Sequence, residues 1–406
     1  MNVVVLINNS ASPSARYVTW SQSPCSVRLT NTSGATVPVL VTVRNKPPAS
    51  GGRVSFQLNR SSARTASLNL TLPLSGASVN FLVSGDFGRS SKSDGDTIIQ
   101  VMRGALVLLE VPIMVRIRKN ANTLTAGERD RFITAFATLN NRGTGRFTDF
   151  RDMHTRVTQT QGHDAPGFLP WHRSYLLDLE RELQLIDPGV ALPYWRFDQP
   201  APNVFTPDFM GVAGPNDEVR FSAGNQLQFW VTDGVPGIVR SPHFNPATGR
   251  ADGISEAQTL AISTTYTRFR LDMEFNPHGL AHTSFEGSIR SIGTAARDPL
   301  FFLLHTNVDR LWAKWQRQFI RFLATQPGSY DNTSTRTGHR LDDTMWPWNR
   351  VTGGSRPPTA PGGPLATSST VSAPGLAPFV RDMFDYQGGF SPTARLGFDY
   401  DDVRFA

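Results

Sequence analysis

The chain has 406 residues, of which 39% are hydrophobic and 18% are charged, and its formal net charge is +7. This length accommodates two or three domains, and the composition is that of a globular protein with a sizeable core. The positive charge comes from arginines scattered along the sequence, since only four residues are lysine. Because there is no polybasic run, we do not expect nucleic acid as a partner.

The N-terminus predicts neither export nor a membrane anchor. Its first ten residues, MNVVVLINNS, lack the charged start and cleavage site of a signal peptide. No stretch approaches the roughly 18 apolar residues that a membrane span requires. We therefore expect a cytoplasmic protein. Cys25 is the only cysteine, which excludes an intramolecular disulfide, and its place among apolar residues predicts burial rather than reactivity.

Residues 1–115 show the alternation of apolar and polar residues that is typical of half-buried β-strands. Clusters of Gly, Pro, Asn and Ser separate the short runs, the clearest of which are 37–43, 54–58, 68–72 and 79–83. Short strands at this spacing predict a β-sandwich-like N-terminal domain over residues 1–115. This domain is expected to pack on the rest of the chain, where it would shield the active site, mediate assembly or simply add stability.

From residue 116 the apolar period becomes helical, beginning with a possible capping box of Thr125 and Glu128. The stronger helical segments are predicted at about 148–159, 171–186, 276–287 and 299–323. Facing helices of a bundle are a common place for a metal site. The predicted fold is therefore multi-domain α+β, in which the β-sandwich precedes a mainly α catalytic domain, residues 116–406, built on a four-helix bundle.

Two further segments are assigned to the catalytic domain. Residues 353–377 are rich in Pro, Gly, Ser and Thr, which predicts a long loop. The segment Phe379–Tyr400 carries enough apolar residues to pack back on the helices as a closing segment.

Six of the eight histidines fall into two groups of three. The first group is His154, His163 and His172, and the second is His278, His282 and His305. Neutral imidazole is a favoured ligand for copper, zinc and iron, and neither group contains a cysteine. Two such sites in one domain predict a binuclear centre that handles dioxygen, and hence an oxidase.

The spacing within the second group strengthens this prediction. His278 and His282 are four residues apart, so on a helix they share one face and can bind one ion. A lone histidine on an apolar face is more often a core residue than a ligand, but the six together are far more specific. For His243 and His339, which lie in loops, we expect surface roles.

Three segments carry a resemblance to a known family. FLPWHRSYLLDLERELQ, followed by PYWRFD from Pro193, resembles the first copper motif of tyrosinases and related polyphenol oxidases. EFNPHGLAH and DPLFFLLHTNVDRLWAKWQ resemble their second copper motif. The resemblance covers about residues 115–406. It implies a type-3 centre with O2 as co-substrate and two copper ions, copper A on His154, His163 and His172 and copper B on His278, His282 and His305.

The resemblance also implies roles beside the ligands. Glu274 matches the acidic residue that holds a water near copper B, which makes it a candidate general base, although a plain surface carboxylate is the alternative. Asp309 matches the aspartate that orients a ligand imidazole. Ile292 falls at the gate position above copper A.

One departure from the family pattern concerns substrate choice. Gly279 stands where an asparagine after the first copper B histidine favours monophenol hydroxylation in the family. Gly279 has no side chain to orient a water, although Thr283 could supply part of the polar contact. We therefore expect Gly279, Thr283 and Ile292 at the substrate site, and faster oxidation of catechols than of monophenols. The alternative is that Gly279 only permits close helix packing.

The expected function is O2-dependent oxidation of o-diphenols to o-quinones, with hydroxylation of monophenols as an open addition and a small phenol as the partner. An o-aminophenol oxidase or another specialised aryl oxidase is the nearest rival. A hemocyanin-like oxygen carrier would use the same ligands, and a di-zinc hydrolase would add bridging carboxylates. An oligomer is left open.

Overall fold

The computed structural model describes residues 1–47 and 51–405. Contacts between residues divide the chain into two compact units. The first, called the β unit below, consists of Met1–Ile117, Ser368–Ser372 and Gln387–Ala406. The second, called the helical unit, consists of Arg118–Thr367 and Ala373–Tyr386. The protein is therefore mixed α+β, with a β-rich N-terminal region followed by a helical core. This confirms the predicted fold class and the predicted order of the two regions.

Nine strands lie in the described part of the β unit. They are β1 (Asn2–Ile7), β2 (Tyr17–Val18), β3 (Ser23–Asn31), β4 (Val39–Asn45), β5 (Val54–Gln57), β6 (Ser67–Leu72), β7 (Val79–Gly85), β8 (Thr97–Arg103) and β9 (Leu106–Val115). One sheet has the order β1-β3-β7-β5, and the other has the order β2-β9-β8-β4-β6. All neighbours pair antiparallel except β2 and β9.

Side chains from both sheets form one hydrophobic core, which explains the alternation in the sequence. Val41 and Val43 of β4, for example, are buried between polar or exposed neighbours. Cys25 is buried in this core, and the loss of solvation raises the pKa of its thiol to about 12. Its predicted burial is thus confirmed, and an inert thiol follows.

The helical unit is built on eight α-helices within the described residues. They are α1 (Ala126–Leu139), α2 (Phe147–Met153), α3 (Gln159–Gly162), α4 (Phe168–Ile186), α5 (Glu256–Leu260), α6 (Tyr266–Met273), α7 (Leu280–Thr283) and α8 (Leu300–Phe319). A wider π-helical turn, Glu274–Gly279, joins α6 to α7. The capping box of Thr125 and Glu128 is confirmed at the start of α1. No described helix is long and apolar enough to cross a membrane.

Three predicted features differ from the structure. The helix predicted at about 276–287 is broken, because Asn276 has a non-helical backbone within the π-helical turn, α7 ends at Thr283 and Phe285–Gly287 is a short strand. The helix predicted at 148–159 ends at Met153, because Thr158 caps the turn after it by accepting from the Thr155 N–H. The closing segment does not belong wholly to the helical unit, since Gln387–Ala406 joins the β unit. There Trp20 Nε1 donates to Tyr400 O, and Asp399 accepts from Ser21. These polar contacts, rather than apolar periodicity, fix the position of the chain end.

Candidate metal centre

The six histidines of the two groups are carried by different local elements of the helical unit. His154 and His163 directly follow α2 and α3. His172 and His305 lie within α4 and α8, His278 lies in the π-helical turn and His282 lies in α7. All six are buried, and the most exposed, His282, shows 8% of its surface. Six imidazoles are thus held inside the helical unit.

The Nε2 atoms of these imidazoles converge on a small volume. The Nε2 atoms of His154 and His163 are 2.9 Å apart. His305 Nε2 lies 3.2 Å from that of His282 and 3.3 Å from that of His278. Ring nitrogens of His278, His282 and His305 lie within 4.8 Å of one another, and so do those of His154, His172 and His305. His305, which the sequence assigns to the second group, therefore lies between the two groups.

The other ring nitrogen, Nδ1, anchors most of these imidazoles to the protein. Four Nδ1 atoms donate to main-chain carbonyls: His154 to Ile292 O (3.1 Å), His172 to Phe168 O (2.9 Å), His278 to Glu274 O (2.7 Å) and His282 to Ile289 O (2.7 Å). A carbonyl can only accept, so in each ring Nδ1 carries the proton and Nε2 keeps its lone pair. Facing lone pairs at these distances repel each other unless a cation lies between them.

Two ring nitrogens have no hydrogen-bond partner among the described residues. His172 Nε2 is buried in this state, which costs about 1–3 kcal/mol unless another ligand satisfies it. A metal ion bound to this nitrogen would remove that penalty. His305 Nδ1 is also buried without a partner, and packing holds its ring instead, 4.2 Å from the Phe301 ring and 4.3 Å from the His172 ring between centroids.

Burial keeps most of these imidazoles neutral at neutral pH. Loss of solvation, together with the neighbouring imidazoles, lowers the pKa of four of them well below the ordinary histidine value: His154, His172, His278 and His305. Loss of solvation also lowers the pKa of His282 to about 4. The neutral ring is the form that binds a metal, so the centre is poised for ligation.

A hollow of about 410 Å³ opens beside the six histidines. His163, His278 and His282 line it together with Gly279, Thr283 and further residues of the helical unit: Asp164, Arg270, Leu271, Glu274, Phe275, Arg290 and Ile292. The Phe275 side chain is largely exposed, and Leu271 is half exposed. The volume lies within the usual range for small-molecule pockets, about 300–1,000 Å³. The hollow is therefore large enough to hold a small organic molecule beside these three histidines.

Comparison with known proteins identifies the family. The family description "Common central domain of tyrosinase" matches residues 144–318. A tyrosinase from Streptomyces glaucescens is 34% identical over 265 residues, which cover 57% of this chain and 92% of that protein. The chain belongs to the tyrosinase family. Grixazone synthase from Streptomyces griseus is 28% identical over 302 residues, covering 59% of this chain and 95% of that enzyme.

Structural comparison adds a weaker likeness. Deoxygenated hemocyanin from Rapana thomasiana has a TM-score of 0.48 and 20% sequence identity, and the match covers 71% of this chain and 70% of that one. Members of the tyrosinase family are oxidoreductases that use a binuclear copper centre. The donor set fits this metal, because copper binds imidazole well and the unpaired His172 Nε2 faces the other ligand nitrogens.

Glu274 has more contacts than its predicted role requires. Its Oε1 accepts from His163 Nδ1 (3.2 Å) and from the Asp164 N–H (2.8 Å). Its Oε2 pairs with Arg270 at 3.1 Å, a residue that the sequence analysis missed although the two are four apart on one helix. With its own carbonyl accepting from His278, Glu274 reaches both histidine groups. It is therefore not a plain surface carboxylate.

The three residues predicted at the substrate site all line the hollow. At Gly279 an added Cβ would meet only Glu274 O, at 3.4 Å, so close helix packing does not require this glycine. The structure thus gives no packing reason for a glycine here, and the role of Gly279 in substrate choice stays a prediction. The Thr283 hydroxyl donates within its own helix, to Gly279 O at 3.2 Å. Ile292 is 39% exposed, and its carbonyl holds His154.

Asp309 does not contact the free nitrogen of His305, since that nitrogen has no partner within the described residues. Instead, its carboxylate binds two buried arginines, Arg173 at 2.6 Å and Arg118 at 3.2 Å. Arg118 also binds Glu180 of α4 at 2.9 Å. Because Arg173 follows His172 in α4, this buried charge cluster ties α4 to α8. The structure therefore shows no hydrogen bond from Asp309 to His305, and the predicted role of Asp309 in orienting a ligand imidazole stays a prediction.

The two remaining histidines differ from each other. His243 lies at the surface, where its Nε2 is 3.0 Å from Glu286, as expected. The expectation for His339 is wrong, because this side chain is completely buried. Its Nδ1 accepts from the Gly167 N–H (3.2 Å), and its Nε2 donates to Thr160 O (2.9 Å). His339 thereby braces both ends of the segment that contains His163. No local feature of a loop sequence shows such a tertiary contact.

Proposed function

We propose that this chain oxidises o-diphenols to o-quinones with dioxygen at two copper ions. Copper A would be held by His154, His163 and His172, and copper B by His278, His282 and His305. The bound pair supplies the electron transfer between substrate and dioxygen. Overall, two catechol molecules and one dioxygen give two o-quinones and two waters.

The observation that carries this proposal is the hollow that opens onto His163, His278 and His282. An oxygen carrier needs only a covered site, whereas an enzyme must admit an aromatic ring beside the metal. Leu271, Phe275 and Ile292 offer apolar contacts for such a ring. An exposed aromatic side chain such as Phe275 can stack on the substrate without reorganising the core.

We further propose that four helical elements frame the centre: α2, α4, α7 with the preceding π-helical turn, and α8. The buried cluster of Arg118, Arg173, Glu180 and Asp309 supports this, since it ties α4 to α8. Rigid placement of ligands lowers the cost of bringing substrate and metal together. The main-chain carbonyls that accept from four Nδ1 atoms also fix the ligand imidazoles in place.

Glu274 is the proposed acceptor for the phenolic proton. Its carboxylate lines the hollow and is only partly buried, but both of its oxygens already have partners. A base held in this way can receive a proton only through a bridging water or by loosening its bond to Arg270. This arrangement favours catechols over simple phenols, because a catechol loses its proton more readily.

The nearest alternative activity is that of an o-aminophenol oxidase, and we retain it because the chain is 28% identical to grixazone synthase. Oxygen uptake with matched catechol, o-aminophenol and monophenol substrates separates the candidates. We expect the highest kcat/KM with the catechol and none in His282→Ala. A preference of about tenfold or more for the o-aminophenol would replace the proposed substrate, and reversible oxygen binding without turnover would indicate a carrier.

A further inference from the structure

The β unit contains a second large hollow, of about 600 Å³, which the oxidase chemistry does not use. Its walls come from five parts of this unit: the region around β1 and β3, Arg60 after β5, Leu82 of β7, the segment Ser368–Ser372, and the residues near Arg395. The turn after β1 contributes Asn8 and Asn9, both in the left-handed conformation with φ of 51° and 62°. The hollow is therefore built by the fold of the unit rather than by a single loop.

The hollow carries positive charge without any balancing carboxylate in its wall. Arg60 and Arg395 both line it, and none of its lining residues is acidic. Arg395 is buried, with 7% of its surface exposed, and its terminal nitrogens donate four hydrogen bonds to neutral acceptors. These are Gln22 O (2.9 Å), Ser23 Oγ (2.7 Å), Asn8 Oδ1 (2.9 Å) and Thr370 O (3.2 Å).

Arg60 is arranged in a similar way at the mouth of the hollow. One of its terminal nitrogens donates to the carbonyls of Gly388 (2.9 Å) and Gly389 (2.7 Å). It is exposed, and no ion pair joins it to a carboxylate within the described residues. Its remaining N–H groups are therefore free to bind an incoming acceptor. Burial lowers the pKa of Arg395 to about 10, although the nearby Asp399 carboxylate partly opposes this shift.

The remaining lining is rich in neutral hydrogen-bonding groups. Side-chain amides come from Asn9 and Gln22, and hydroxyls come from Ser368, Ser372 and Thr393. Such groups bind sugar hydroxyls, while a guanidinium binds carboxylate, sulfate or phosphate oxygens through paired N–H groups. The volume exceeds the need of a bare inorganic ion and lies in the range of organic ligands.

We propose that this hollow binds an acidic sugar, meaning a saccharide unit that carries a carboxylate, sulfate or phosphate group. Arg60 donates its free N–H groups to the acidic group, Arg395 adds positive charge from the wall, and the amides and hydroxyls hold the ring hydroxyls. The site lies wholly in the β unit, so it is separate from the proposed copper centre. It gives the β unit a binding role in addition to stability.

The test is calorimetric titration of the full-length, copper-loaded protein with glucuronate, glucose and inorganic phosphate. We expect glucuronate to bind with a Kd below about 1 mM and more weakly at high salt, glucose not to bind measurably, and phosphate to bind at least about tenfold more weakly than glucuronate. Arg60→Ala should weaken glucuronate binding at least about tenfold, since it removes a charge-assisted contact at an exposed position. Arg28→Ala, which removes an equal charge from an exposed site outside the hollow, should leave binding unchanged.

Three results would overturn the proposal. Glucuronate affinity that is equal in the parent and in Arg60→Ala would place binding elsewhere. If phosphate bound as tightly as glucuronate, the site would recognise only the anion and not a sugar. If glucose bound as tightly as glucuronate, the acidic group would play no part in recognition. The unfolding temperature of Arg60→Ala is measured alongside, and because this side chain is exposed we expect it to match the parent.

Discussion

Glu274 accepts a hydrogen bond from His163 Nδ1 at 3.2 Å, while its own carbonyl accepts one from His278. One residue therefore orients an imidazole in each of the two histidine groups. Arg270 holds the same carboxylate in place at 3.1 Å. We therefore predict that Glu274, which the sequence suggests as a base, also supports metal binding.

Replacing Glu274 by Ala should weaken copper binding on the His163 side by about 10–100-fold, because partners of ligand imidazoles typically have effects of this size. Glu274→Gln keeps an acceptor for His163, so it should retain most copper while kcat on catechol falls. Competitive titration against a chelator measures the affinity. Glu218→Ala removes an exposed carboxylate that pairs with Arg220, and serves as the control. Unchanged copper affinity in Glu274→Ala would show that the contact does not matter.

Replacing Gly279 by Asn should raise the monophenol rate relative to the catechol rate. The backbone there is helical, with φ of −60° and ψ of −37°, and a new Cβ meets only Glu274 O at 3.4 Å. The amide would thus enter the hollow without displacing a neighbour and could hold a water for proton transfer. The comparison is kcat/KM on a matched monophenol and catechol for the two proteins. A parent that handles both equally fast, with no gain in the variant, would refute this explanation.

His339 should make stability depend on pH. Burial lowers its pKa from 6.5 to about 4, so the unfolded chain takes up a proton at a higher pH than the folded one. Its stabilising effect is fully present above about pH 6.5 and is lost as the pH falls towards about 4, up to roughly 3 kcal/mol.

Urea unfolding of the parent and His339→Gln between pH 7.5 and 4.5 measures this effect. Glutamine can still accept from Gly167 and donate to Thr160, but it does not titrate, so its pH dependence should be shallower. His339→Ala loses both bonds and should also lose copper, in contrast to the surface role expected from the sequence. His243→Gln is the matched control. Parallel curves for the parent and His339→Gln would contradict the prediction.

Asp309 should matter mainly for stability. Asp309→Ala leaves Arg118 and Arg173 with less compensation in a buried cluster, which typically costs about 3–5 kcal/mol. Asp342→Ala breaks an exposed pair with Arg381 and should cost only about 0–1 kcal/mol. Unfolding free energies of the copper-free proteins give the comparison, since they exclude any effect through the metal. Equal losses in the two variants would rule out the buried cluster as a support.

The sequence predicts the elements whose residues repeat regularly. The apolar period of α4 and α8 and the alternation in strands such as β4 reflect burial of one face, so these elements lie close to where they are predicted. The histidines themselves are found because six of eight fall in the two motifs. Ends of elements are harder, and α2 stops before His154 through a contact of Thr158 that no period shows.

The features that the sequence does not predict depend on polar contacts between residues far apart in the chain. His339 lies in a loop, yet it is buried because Gly167 and Thr160 come to it from far along the chain. Asp399 belongs to the β unit because it accepts a hydrogen bond from Ser21, which lies 378 residues earlier in the sequence. Neither contact leaves a trace in local composition, so sequence patterns alone cannot predict them.

Copper content tests the central claim most directly. Metal analysis of the purified protein after loading should give two coppers per chain, because the six buried imidazoles offer two sets of three ligands. His172→Ala and His282→Ala should each lose about one copper and all oxidase activity, while His243→Ala, altered at the surface, should keep both. Full copper occupancy in His282→Ala would contradict the assignment of these histidines as the ligands.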